Sequence, residues 1–153
     1  MREERFTQER GGTAMEWEEA LTVHVTIGHT SELRNSDGDS VVMISFGGRA
    51  TGKYFEGDVL ESGVDTQIIG ASGGHHSLSA RYMLRGQDYT GQDCELYIEN
   101  NGRVPRHSEG PLFRTTPRVI TNSRALSFLN DALLAGEGIP TESGVDIKIY
   151  RAL

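Results

Sequence analysis

Asp65 and Gln67 stand two residues apart in the segment VDTQII. On a β-strand that spacing points both side chains to one face. A shielded carboxylate beside an amide can move a proton, and an arginine within reach can polarise a carbonyl or hold a carboxylate. Arg81, in SLSARYMLR, is the candidate arginine. The residues leave two readings of Asp65 and Arg81 open. They form either a proton-moving, polarising pair or a salt bridge between neighbouring strands, because a lone buried charge is costly. Tyr97 and Glu99 repeat the two-residue spacing in CELYIEN. A glutamate of raised pKa next to a tyrosine suits acid/base work on an enolisable ligand; the plainer alternative is an exposed polar strand face. Arg114 and Arg118 alternate with Thr116 between them. They suit an anionic ligand group, or equally a basic edge that discourages strand pairing.

Other chemistries find little support. Adjacent histidines such as His75 and His76 point apart on a strand, and no Cys or His-x-His spacing accompanies them, so no metal site is expected. His24 lies on the polar face of the first strong strand pattern, either lining a cavity or hydrogen-bonded on the surface. His107 has no identifiable partner. Cys94 is the single cysteine. It reads as a small buried hydrophobe, excludes an intrachain disulfide and favours a reducing, cytosolic setting. The glycine-rich run from Gly70 to Gly74 lacks the G-x-x-x-x-G-K-[ST] pattern and a following helix, so no nucleotide and no other cofactor is expected. A formal net charge of −7 argues against a nucleic-acid partner. No apolar run approaches the length of a membrane span, so no membrane partner is expected either.

The elements that must position these residues are mostly strands. The 153 residues suit one domain, and 19 glycines fit many turns. Residues 1–14 are polar and read as a flexible extension; residues 15–153 form the domain. LTVHVTI alternates from Leu21 to Ile27, as do the segments around Arg81 and Tyr97. Asp37-Gly38 signals a hairpin. Phe55 to Ile69 reads as a strand bent at Gly63, and Pro117 interrupts the strand after Leu112. Ser123 to Leu134 has Leu126, Leu129 and Leu133 at helical spacing, with Gly136 just beyond. The sum is an all-β domain: a small antiparallel β-barrel of about eight strands with one short helix. A barrel of that size holds one small ligand or is filled by side chains.

Four blocks occur in order: FGGRATGKYFEGDVLESGVDTQ, LSARYMLRG, ELYIENNGR, and FRTTPRVIT followed by LSFLN. This order resembles the domain of unknown function 3237 family, over about Leu21 to Tyr150. The resemblance implies a small barrel similar to the allene oxide cyclase and lipocalin-like barrels, a ligand cavity inside it, and a homodimer. Gly57, Gly63 and Asp65 fall where relatives carry the strand, bend and acidic residue of a GG-A/V-D pattern. Ala80, Arg81 and Tyr82 match one block, Asn100 and Gly102 the next, and Phe113 and Pro117 the last. Thr66, Ser79 and Ile120 depart from it, where many relatives carry Trp, Asp and Glu. The two missing acids weigh against a mechanism shared through them. On this basis Asp65, Arg81, Tyr97 and Glu99 are the expected catalytic residues, and Gln67, Ser79, Asn100, Arg114 and Thr116 the expected ligand-binding ones. The expected activity is binding of a small organic molecule, with cofactor-independent isomerase, cyclase or lyase chemistry. A non-catalytic carrier and a homodimeric module with a filled barrel are the alternatives.

Overall fold

A computed structural model describes residues 5–10, 13–71, 75–105 and 113–153, with side chains for 15–71, 75–105 and 114–153. Ten strands follow one another: β1 (Arg5–Arg10), β2 (Thr13–Arg34), β3 (Ser40–Thr51), β4 (Phe55–Val59), β5 (Val64–Ile69), β6 (His76–Asp88), β7 (Asp93–Arg103), β8 (Phe113–Thr121), β9 (Leu134–Pro140) and β10 (Gly144–Ala152). Every pairing is antiparallel. Neighbours run β2-β10-β9-β8-β7-β6, then β4 and β5 bridge to β3, and β3 pairs with β2 to close the ring. The protein is an all-β barrel, as its alternating segments imply. Closure leaves few unpaired strand edges.

Register explains which side chains face inward. In β6, Leu78, Ala80, Tyr82 and Leu84 are buried while Arg81, Met83 and Arg85 are exposed. In β7, Leu96 and Ile98 are buried with Asn100. Val23 and Val25 of β2 and Ile147 and Ile149 of β10 supply the opposite wall. Phe46 meets Tyr82 edge-on inside the barrel, with ring centroids 5.2 Å apart.

Four sequence expectations need adjustment. Within residues 1–14, Arg5–Arg10 forms β1 against β2. The single bent strand is two strands, β4 and β5, both bridging β3 and β6. β8 runs through Pro117, which lies beyond the last β8–β9 pair, Thr115 with Gly136. The expected helix over Ser123–Leu134 is only a 3-10 turn at Ser127–Asn130, and Leu134 opens β9. Leu126 and Leu129 are buried three residues apart, a spacing one tight turn satisfies, whereas Leu133 is 52% exposed. A longer helix would take residues from β9, which fills the gap between β8 and β10. That turn packs Leu126 and Leu129 into the core and plugs one end of the barrel. At the other end β2, β3 and β5 project past β10. The pairing of β2 with β3 continues to Arg34 and Ser40, across a β-bulge between Ile27 and Thr30. Among the described residues no helix is long and apolar enough to cross a membrane.

Candidate functional site in the barrel interior

Four adjacent strands carry polar side chains on the inward face. Asp65 (β5), Ala80 (β6), Asn100 (β7) and Pro117 (β8) occupy one register row. Asp65 and Asn100 therefore flank the small Ala80 two strands apart, about 10 Å between their Cα atoms at ordinary strand spacing. The next row holds Gln67, Leu78, Gly102, Thr115 and Gly136. Tyr82 lies in the row on the other side of Ala80, beside Ile98 and Val119.

These polar groups are buried and under-partnered. Asn100 is 0% exposed, and neither its Nδ2 nor its Oδ1 has a hydrogen-bond partner. The hydroxyls of Tyr82 and Thr115 and the Oδ1 of Asp65 are likewise buried without one. Buried polar groups normally find partners, because leaving one unmade costs about 1–3 kcal/mol. Two of these atoms converge: a Cβ built on Gly136 would stand 2.4 Å from Thr115 Oγ1 and 3.5 Å from Asn100 Oδ1. Glycine at 136 is what lets that threonine and asparagine pack so close to β9.

Asp65 is held from one side only. Gln67 Nε2 donates to its Oδ2 at 2.7 Å, and His76 Nε2 meets Gln67 Oε1 at 2.7 Å. Burial pushes the Asp65 carboxyl above its ordinary range, against the opposing effects of the Gln67 hydrogen bond and the His76 charge. A carboxyl so shifted is a better proton acceptor than a solvated one. Burial also pushes the Tyr82 hydroxyl well above its ordinary value. Tyr82 therefore stays protonated and serves as a hydrogen-bond donor.

Of the nine residues nominated from sequence, the interior brings together Asp65, Gln67 and Asn100. The other six lie on the outer face. Arg81 stands opposite Val64 and Glu99, turned away from Asp65, so the expected Asp65–Arg81 pair does not form. The reason is the alternation of β6: burying Leu78, Ala80, Tyr82 and Leu84 fixes the register and leaves Arg81 in water, where a guanidinium is cheapest to hold. Tyr97 and Glu99 do meet, Tyr97 OH donating to Glu99 Oε1 at 2.7 Å, but on the same outer face as Arg81 and Arg118. The hydrogen bond to Glu99 raises the Tyr97 hydroxyl. Ser79 donates to Asn101 at 2.6 Å, and Arg114 and Thr116 are exposed. His24 is also outside, its ring bridging Asp146 Oδ1 at 2.9 Å and Thr51 Oγ1 at 2.8 Å. Cys94 is buried, and burial raises its thiol. His107 and residues 72–74 of the glycine-rich loop lie outside the described residues. Among the described residues no three His, Cys, Asp or Glu side chains gather in a metal-holding group.

Tyr82 and Thr115 were missed by sequence reasoning. Their signal was present: each is a polar-tipped residue on the apolar side of an alternating strand, as is Asn100. A polar group on an apolar face is the informative exception.

The family of proteins of unknown function DUF3237 matches residues 15–152. A UPF0311 protein of Clostridium acetobutylicum is 33% identical over 90 residues, 58% of this chain and 54% of that protein. The chain thus aligns with about half the length of that curated relative. A crystal structure of a protein of unknown function from Clostridium acetobutylicum ATCC 824 superposes with a TM-score of 0.74 at 26% identity, covering 91% of this chain and 97% of that one. A β-barrel-like protein from Acinetobacter baumannii AYE (TM-score 0.69, 22% identity, 91% and 96% covered) shares the fold. So does a chain described as an enzyme from Penicillium herquei (TM-score 0.69, 18% identity, 95% and 99% covered). With 138 consecutive positions matched, out of 153, the chain belongs to the DUF3237 family, an uncharacterised family with a β-barrel-like fold.

Proposed function

We propose that the barrel interior binds a small organic molecule and isomerises or cyclises it without a cofactor. One observation carries this reading: the buried, unpartnered polar atoms of Asp65, Tyr82, Asn100 and Thr115 on four consecutive strands. Unmade hydrogen bonds are tolerated where a ligand makes them. The facing wall of Val23, Val25, Phe46, Ile147 and Ile149 suits the ligand's apolar side.

The chemistry follows from the donor and acceptor set. Asp65 Oδ1 takes a proton from a carbon next to a carbonyl, or from a hydroxyl conjugated to one. Negative charge then builds on the carbonyl oxygen, where the Asn100 amide and the Tyr82 hydroxyl can donate. Asp65 returns the same proton to a different atom, so the product is an isomer and nothing is consumed. In a ring closure, the oxygen freed of its proton attacks within the same molecule and the proton ends on carbon. Arg81, Tyr97 and Glu99 take no part in this scheme, because they face outward. The fold likeness to a chain described as an enzyme supports a barrel that can host a reaction. A homodimer, implied by the family resemblance, remains part of the proposal. The outer row of Met83 (51% exposed), Tyr97 and Ile120 (45% exposed) offers a second copy an apolar strip.

The test is hydrogen exchange on carbon. A panel of enolisable cyclic ketones and hydroxy-ketones is incubated with the protein in deuterated water and followed by proton NMR. Faster C–H exchange with wild type than with Asp65→Asn supports the enzyme reading. Binding without exchange leaves the carrier. No binding by any member, together with slow exchange of the Asn100 side-chain amide, returns the filled barrel.

A further inference from the structure

We infer that His76, acting through Gln67, is a positioning residue that selects Oδ1 of Asp65 as the oxygen open to the ligand. The inference deepens the proposed role of Asp65 and rests on that reading. It is carried by an unbroken chain on the inward face: His76 Nε2 to Gln67 Oε1 at 2.7 Å, then Gln67 Nε2 to Asp65 Oδ2 at 2.7 Å.

A glutamine amide has one accepting end and one donating end. An ionised carboxylate can only accept, so the amide must turn its nitrogen to Asp65 and its oxygen away. That oxygen now faces His76, and a carbonyl oxygen accepts only from a ring nitrogen that carries a hydrogen. His76 must therefore hold its proton on Nε2. The tautomer of His76 and the orientation of Gln67 lock each other, and together they occupy Oδ2. Oδ1 is left buried with no partner. Without His76, the amide loses the group that prefers its oxygen end and is freer to rotate. Both carboxyl oxygens then share the proton-accepting role.

Neighbouring elements add little charge to this chain. β3 presents Val42 and Ile44 in the rows of Gln67 and Asp65; β6 presents Leu78, Ala80 and Tyr82; β7 presents Asn100 and Gly102. Among the described residues the titratable groups facing Asp65 from these strands are His76 and Tyr82. His76 also sits at the first position of β6 beside Ile69, toward the end where β2, β3 and β5 project.

The experiment needs no ligand, so its outcome is separable from the question of whether the barrel binds one. Nitrogen-15 NMR of the intact wild-type protein at neutral pH reads the His76 tautomer directly. A predominant Nε2–H form is expected; a predominant Nδ1–H form overturns the inference. Carbon-13 NMR then follows the Asp65 carboxyl in wild type, His76→Gln and His76→Leu. The side chain of His76→Gln can still donate to Gln67, whereas that of His76→Leu cannot, and neither carries a charge, so the two variants are compared with each other. The Asp65 midpoint of His76→Leu should lie above that of His76→Gln, and its Gln67 side-chain amide protons should exchange faster. Equal midpoints and equal amide exchange in His76→Gln and His76→Leu overturn the inference, while the wild-type tautomer covers the case in which either variant fails to fold.

Discussion

Replacing Asn100 by leucine should stabilise the ligand-free protein. Asn100 is fully buried, and both ends of its amide lack partners. Each buried polar group left unmade costs about 1–3 kcal/mol, so two such groups represent a destabilisation of at least about 2 kcal/mol. Leucine has nearly the same size and carries no polar atom, and its neighbours Ile98, Val119 and Ala80 are apolar and buried. Removing the penalty should raise stability by about 2 kcal/mol, less whatever solvent in the barrel already recovers. For a domain of this size that gain is about 4–8 °C in melting temperature. Urea and thermal unfolding followed by circular dichroism measure it, with the same melts repeated in the presence of any carbonyl compound that binds wild type. The leucine variant should be the more stable protein alone and should lose the ligand-induced shift. A variant less stable than wild type by about 1 kcal/mol or more refutes the reasoning. The amide would then be bonded in the native protein, and the unpartnered-donor basis for the site would go with it.

Three further outcomes follow from the same geometry. The Asp65 carboxyl is raised in the folded state, so its contribution to stability is present below the ordinary carboxylate value of 3.8 and is lost as pH rises through the folded value. Urea midpoints of wild type measured relative to Asp65→Asn should fall as pH rises across that window, a difference that removes the opposite slope of the lowered carboxyls Glu18 and Asp88; identical slopes would place Asp65 in water. Gly136→Ala sets a methyl 2.4 Å from Thr115 Oγ1 and should cost about 1–3 kcal/mol by equilibrium unfolding, since the neighbours at 3.1 and 3.5 Å, Pro117 and Asn100, leave little room to yield. Arg81→Ala removes an exposed outer-face charge and should change stability by no more than about 0.5 kcal/mol, with ligand affinity unaltered in a binding titration.

The barrel was legible because its strands alternate. LTVHVTI, SLSARYMLR and CELYIEN each declare an apolar face, and those faces are the ones the structure buries, apart from Ile27, which is exposed next to the β-bulge. Asp65 and Gln67 were legible as a same-face pair, and the structure adds the hydrogen bond between them. What alternation could not reveal was which polar residues belong to the inside. Arg81 was chosen for its chemistry, yet its own strand pattern put it with Ser79 and Met83. Tyr82 shares its strand face with Leu78, Ala80 and Leu84, so alternation alone gives its hydroxyl no role. Strand β9, LAGEGIP, has two glycines and ends in proline, a poor strand composition by intrinsic preference. It is a strand because β8 and β10 need a neighbour and because Gly136 admits Thr115 closely, both of which are long-range facts.

A closed antiparallel ring also explains how four under-partnered polar groups persist in one small domain. The backbone hydrogen bonds of β2 through β10 are made around the circle, so the frame does not depend on the interior being dry. The plugged end gathers Leu84, Leu96, Leu126, Leu129 and Leu134 into an apolar base, beside a buried hydrogen bond of 2.7 Å from the Ser123 hydroxyl to Asp88. That base and the Val23, Val25, Ile147 and Ile149 wall supply burial independently of the polar stripe. β2 and β10 build the apolar wall, and the inward polar side chains of β5 to β8 stand among core residues of the same strands, Leu84, Leu96, Ile98 and Val119. Asp65 with its Gln67–His76 support belongs to that inward set, whereas Ser79 and Ile120 stand on the outer face. Changes there leave the interior set of Asp65, Tyr82, Asn100 and Thr115 intact.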